Sequence, residues 1–168
     1  MSNCGTIILG IDPGSLVTGY AVLKATRSRI IPVAFGNIKT SSRNKLQKRI
    51  LKINQEIDSI IKKYKPEQAS IEKIFYAKNV RSVLALGEAR GVILLTLEKN
   101  NIPTYEYTPL KIKKSVVGNG RASKKQVQYM VNAILKTNIE KKSSYDISDA
   151  MAIGICHYNK IKTSLKNV

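Results

Sequence analysis

Aspartate is scarce in this chain, and it sits mostly beside apolar sequence. The 168 residues contain four: Asp12, Asp58, Asp146 and Asp149. Asp12 closes the run Ile7-Ile8-Leu9-Gly10-Ile11 and precedes the turn Pro13-Gly14-Ser15. Glu72 repeats this design after Gln68-Ala69-Ser70-Ile71. Asp146 and Asp149 share one helical face at the head of the small apolar stretch Ala150–Gly154. Asp58 belongs to a charged helix face and reads as solvated. A carboxylate at the end of a buried strand is costly unless a cation or donors compensate it. Each acid has a structural reading too: Asp12 as a turn residue, Glu72 as a partner of Lys73 or Lys78, and the last pair as helix N-terminal acids. All four together, in so basic a chain, favour joint work. Four carboxylates in one cleft repel without cations, and hard oxygen ligands suit Mg²⁺ or Mn²⁺. Two such ions, about 4 Å apart, would activate water and stabilise the leaving oxygen in phosphodiester cleavage.

Charge points the same way. Lys and Arg number 29 against 11 acids, a net +18. Such an excess suits a polyanion, most simply nucleic acid, although a lysine-rich proteome would also raise it. No apolar run is long enough for a membrane-spanning helix, so no membrane role is expected. No secretory signal pattern opens the chain, and a cytoplasmic protein is the expectation. Cys4 and Cys156 have no metal-ligand spacing and read as free thiols.

The elements that must place these acids follow from periodicity. Ile7–Asp12, Thr18–Lys24 and Arg29–Ile38 read as three strands, with a turn at Thr26-Arg27-Ser28 and the third pushed to an edge by Pro32. Leu46, Ile50, Ile53, Ile57, Ile60, Ile61 and Tyr64 predict an amphipathic helix over about Arg43–Tyr64. Gln68–Glu72 is a fourth strand and Pro103–Tyr107 a fifth. Between them Val80–Lys99 reads as a helix apolar over most of its circumference, with Leu86 and Leu94 among the residues offered to a partner. Pro109–Val117 is a short basic helix, and Ser123 caps another over Lys124–Lys136. The final helix is expected over Tyr145–Asn159, within one domain of residues 1–160, followed by a short basic tail, 161–168. If the first and fourth strands are neighbours, Asp12 and Glu72 emerge side by side. The order of elements predicts one α/β domain with a mixed five-stranded sheet.

Five ordered stretches carry a family resemblance. Gly10-Ile11-Asp12-Pro13-Gly14-Ser15 with Thr18-Gly19-Tyr20 is similar to the N-terminus of the bacterial RuvC Holliday junction resolvases. So are Ile71-Glu72-Lys73-Ile74-Phe75 with Ala77-Lys78-Asn79, Leu86–Val92, Val116–Gly120 and Asp146–Ala152. They span nearly the whole chain. The resemblance implies an RNase H-like fold and a homodimeric endonuclease that resolves four-way junction DNA by paired nicks, leaving 5′-phosphates and 3′-hydroxyls. It implies two Mg²⁺ ions, with Mn²⁺ able to substitute, at Asp12, Glu72, Asp146 and Asp149. Lys113 and Lys124 fall where the family uses lysines near the scissile phosphate, Lys125 being the neighbour that could replace Lys124. Phe75 falls at the junction-stacking aromatic. Lys78, Arg81, Lys114, Arg121 and Lys125 are further expected DNA contacts. A RuvA–RuvB branch-migration partner is implied as well. The alternatives are another RNase H-like nuclease acting on RNA or simple duplexes, an ATP-dependent protein with a phosphate loop at Asp12, or a basic binder without catalysis.

Overall fold

The computed structural model describes residues 5–73, 80–139 and 145–165. Five strands form one sheet: β1 (Thr6–Asp12), β2 (Val17–Ala25), β3 (Ile30–Lys39), β4 (Gln68–Glu72) and β5 (Thr104–Tyr107), in spatial order β3-β2-β1-β4-β5. β1 to β3 form an antiparallel meander, whereas β4 and β5 join parallel to β1. The sheet is therefore mixed, as the order of elements predicts. The edge position of β3 suits Pro32, which lacks an N–H to donate. In the turn before it, the Thr26 N–H donates to Arg29 O at 2.8 Å.

Helices cover both faces. α1 (Leu46–Tyr64) and α2 (Val80–Lys99) lie on one, α3 (Pro109–Val117), α4 (Lys124–Leu135) and α5 (Tyr145–Leu165) on the other. On the α1/α2 face Ile53, Ile57, Ile93 and Leu97 pack onto Leu9, Ile11, Val22 and Ile71. That side buries large aliphatic side chains at helical spacing, as the sequence pattern predicts. On the other face α5 crosses the sheet almost backbone to backbone. A Cβ on Gly10 would lie 2.3 Å from Ala150 O, and one on Gly19 2.0 Å from Asp146 O. Only glycine permits this approach.

Two helix boundaries differ from the periodicity by more than one residue. α1 starts at Leu46 rather than Arg43, because the Asn44 N–H turns back to Ser41 O at 3.0 Å and Lys45 takes the N-cap. α5 continues to Leu165 rather than ending at Asn159, so Lys160 and the tail residue Lys162 extend the helix. Their ammonium groups lie 5.1 Å and 5.5 Å from the Tyr105 and Tyr158 ring centroids, and these contacts favour the helical turn. α4 begins with the expected Ser123 cap, completed as a capping box by Gln126.

Candidate active site

Register brings the two strand-end acids together. Ile11 of β1 pairs with Ile71 of β4, and Asp12 and Glu72 follow one residue beyond. α5 then delivers Asp149 from across the sheet. Asp12, Glu72 and Asp149 line one cavity of about 230 Å³ with Lys113 of α3 and Lys124 of α4. Ile112, Val127 and Ile153 supply its apolar wall. Asp146 stands in the first turn of α5, outside the lining of that cavity. Its charge nevertheless reaches Asp12.

The electrostatics are those of a crowded anionic site. Burial raises Asp12 well above the ordinary carboxylate range, and the charges of Asp149, Glu72 and Asp146 raise it further. Burial and then Asp149 raise Glu72, with Lys124 and Lys113 opposing. Lys124 Nζ donates to Asp149 Oδ2 at 3.1 Å. Even so, burial keeps Asp149 above its usual value, against the pull of that lysine. Burial works to lower the Lys124 ammonium, but Asp149, Asp12 and Asp146 together raise it.

This donor set fits a hard divalent cation: carboxylate oxygens only, mutually repelling, in a cleft open to water. Among the described residues no group of three acidic, His or Cys side chains forms a ready-made metal cage. The acids converge without closing, which suits an ion completed by water and substrate oxygens.

The loop after Asp12 is held firmly. Arg49 of α1 donates through Nε and Nη2 to Ser15 O at 2.9 and 2.8 Å, and through Nη2 to Ser15 Oγ at 2.6 Å. Thr40 Oγ1 donates to the same carbonyl at 2.7 Å, and Thr18 Oγ1 closes the turn on Gly14 O at 2.7 Å. Behind Glu72, Arg90 of α2 pairs with Glu106 at 2.7 Å and points Nε at Glu72 O, 3.4 Å away. The sequence reading missed both arginines. Nothing local distinguishes them from other basic side chains on helices, and their partners, Ser15 for one and Glu72 and Glu106 for the other, are remote in the chain.

The remaining expected contacts divide. Lys124, not Lys125, faces the cleft. Lys114, Arg121 and Lys125 are exposed outside its lining. Arg81 lines a separate groove with Arg49, Leu46, Val80 and Leu84. Phe75 and Lys78 lie outside the described residues. On α2 the outward apolar stripe is Val80, Leu84 and Leu95, at 72%, 61% and 59% exposure, with Gly87 and Gly91 facing open space. Leu94 instead packs against the core and Leu86 is half-buried, so the free face is rotated from the one read off the sequence.

A mixed sheet in this order, flanked by helices on both faces, is the RNase H-like fold, and acids converging from two strand ends and a helix head suit a nuclease. The comparisons agree. The family model described as crossover junction endodeoxyribonuclease RuvC matches residues 8–157. The RuvC of Petrotoga mobilis is 45% identical over 162 residues, covering 96% of this chain and 98% of its own. That of Clostridioides difficile is 39% identical, with 96% of each chain covered. The solved structure of T. thermophilus RuvC in complex with Holliday junction substrate superposes with a TM-score of 0.86 at 25% identity, covering 95% of this chain and 96% of that one. The chain belongs to the RuvC family of crossover junction endodeoxyribonucleases, which are metal-dependent nucleases. Among the described residues no helix is long and apolar enough to cross a membrane.

Proposed function

We propose that this chain resolves Holliday junctions by paired, symmetric nicks, hydrolysing phosphodiesters to leave 5′-phosphates and 3′-hydroxyls. The observation that carries the reading is the meeting of Asp12, Glu72 and Asp149 with Lys113 and Lys124 in one cleft. Asp12, Glu72, Asp149 and the adjacent Asp146 would hold two Mg²⁺ ions, or Mn²⁺ in their place. When bound, such ions lower the pKa of water and stabilise the leaving oxygen. The protein's own part is positioning. The strand ends fix Asp12 and Glu72, the Arg49 clamp holds the loop that follows Asp12, and the cleft would present Lys113 and Lys124 to a scissile phosphate. Lys124 would exchange its Asp149 partner for that phosphate. The net +18 charge supplies the backbone attraction, with Phe75, Lys78, Arg81, Lys114, Arg121 and Lys125 as further DNA contacts. The chain would then be one nuclease domain working on DNA in the cytoplasm, alongside a RuvA–RuvB partner.

The test is a cleavage series on four-way junction, linear duplex, RNA–DNA hybrid and single strand, with Mg²⁺ or EDTA. Wild type is expected to nick junctions in pairs and to stop in EDTA, whereas Asp149→Asn binds junctions but does not cut. Equal cutting of duplex or hybrid points instead to a general RNase H-like nuclease, and cleavage surviving in Asp149→Asn removes the metal-site assignment.

Paired nicks need two sites, and a two-fold dimer matches a junction with near two-fold symmetry. The Val80, Leu84 and Leu95 stripe is the dimer surface in this reading. Leu84→Glu with Leu95→Glu should give monomers by sedimentation and single, unpaired nicks. A stable dimer in that variant places the contact elsewhere.

A further inference from the structure

The chain has one histidine, His157, and it is fully buried outside the cleft. Its Nε2 lies 2.6 Å from Gln68 Oε1 and its Nδ1 2.7 Å from the Tyr107 hydroxyl. An amide oxygen only accepts, so Nε2 carries the proton and Nδ1 accepts from Tyr107. The Tyr105 ring stacks on the imidazole at a centroid distance of 4.4 Å. Burial, with the Lys160 charge adding, pushes His157 down to about 4. Burial also pushes the Tyr107 phenol up. Both groups are therefore neutral at working pH, and the hydrogen-bond chain is fixed in one direction.

The chain joins the two sides of the cleft. Tyr107 is the register partner of Glu72, and the Lys73 N–H donates to Tyr107 O at 2.8 Å. Its hydroxyl meanwhile bonds the helix that carries Asp149. Along α5, Asp149, Ile153 and His157 follow at four-residue steps and share one face. Ile153 lines the cleft between the acid and the anchor. The glycine contacts at Gly10 and Gly19 set how deep α5 lies, and apolar packing around them is non-directional. The two short hydrogen bonds to different strands add a directional restraint on how far α5 slides along the sheet, beside the Asn159 bonds to Ser115 of α3.

We propose that Tyr107, His157 and Gln68 form a positioning device for cleavage, fixing the slide and rotation of α5 so that Asp149 faces Glu72 across the cleft. The inference rests on the metal-site reading above, with His157 acting through Asp149 and touching neither substrate nor ion. Partners that orient metal-ligating side chains from behind typically account for about 10–100-fold in metal affinity or activity.

The experiment compares Tyr107→Phe, His157→Leu, His157→Gln and Asp149→Asn. It measures single-turnover nicking, junction Kd in EDTA, and Mn²⁺ affinity by calorimetry. Tyr107→Phe and His157→Leu should nick about tenfold more slowly and bind Mn²⁺ several-fold more weakly, with junction Kd changed less than about twofold. His157→Gln, which can still donate to Gln68, should recover most of the rate. Nicking and Mn²⁺ affinity unchanged in Tyr107→Phe overturn the proposal, as does a rate loss that only tracks lost junction binding. Tyr107→Phe keeps its ring and decides the matter if His157→Leu does not fold. If Asp149→Asn still cuts, the site reading itself fails. If Asp149→Asn is inactive and the Tyr107 and His157 variants are not impaired, only this inference fails.

Discussion

The two faces of the sheet both bury aliphatic side chains but differ where their helices cross the strands. The α1/α2 face joins helix to strand through large side chains such as Ile53, Ile57, Ile93 and Leu97. The α5 crossing replaces side chains with backbone at Gly10 and Gly19, then adds polar bonds at His157. Side-chain packing has slack, because rotamers can readjust to a lost methyl. Backbone on backbone leaves less room for a change in depth, since a carbonyl has no rotamer to change. The helix that must set Asp149 against the strand-end acids Asp12 and Glu72 lies on the backbone-packed side, and the other side carries support such as Arg49 and Arg90.

The largest effect expected on this contrast comes from Asp12→Asn, which removes the most strongly raised acid. Cleavage should fall by about a hundredfold or more, while the metal-free protein should be as stable as wild type or more so. The sign follows from the shift. Raised carboxyls bind protons more readily folded than unfolded, so Asp12 costs stability at neutral pH and acidification relieves it. His157 acts oppositely: its contribution is complete above 6.5 and is lost as pH falls from there through about 4. The two trends oppose each other in wild type. Asp12→Asn should therefore lose stability more steeply with acid in that window, by urea titration at successive pH values. A flatter profile would contradict both assignments.

Gly10→Ala comes next. The new methyl meets the Ala150 carbonyl and α5 must lift, at about 1–3 kcal/mol and with slower nicking. Ile57→Val, fully buried on the other face, is the smallest change: about 1 kcal/mol of stability with nicking unaltered. If Ile57→Val slows cleavage as much as Gly10→Ala, the two faces do not differ as described.

Much of this was legible in the chain itself. Apolar runs that end on Asp12 and Glu72 are strand ends by pattern, and the parallel pairing of β1 and β4 puts them side by side. The short spacing of Asp146 and Asp149 placed both near the cleft, yet a three-residue step turns a helix through less than a full circle. Only Asp149 lines the cavity. Gly10 was hidden because a glycine within a strand looks like any small residue until the crossing helix is known. His157 was hidden because one histidine in an apolar helix carries no partner in its own neighbourhood. Its bonds reach Gln68 and Tyr107, remote in the chain. The free stripe of α2 needed the structure as well, since a helix apolar almost all round does not declare which side the core takes.

The position of α5 in the chain sets a schedule. During synthesis, Asp12 and Glu72 leave the ribosome well before Asp149, and sheet and α1/α2 can assemble while α5 is still being made. The nascent protein therefore holds half of its cutting site with nothing opposite it. On the metal-site reading, cleavage then waits for α5, since Asp149 is absent from the cleft until that helix is made and docked.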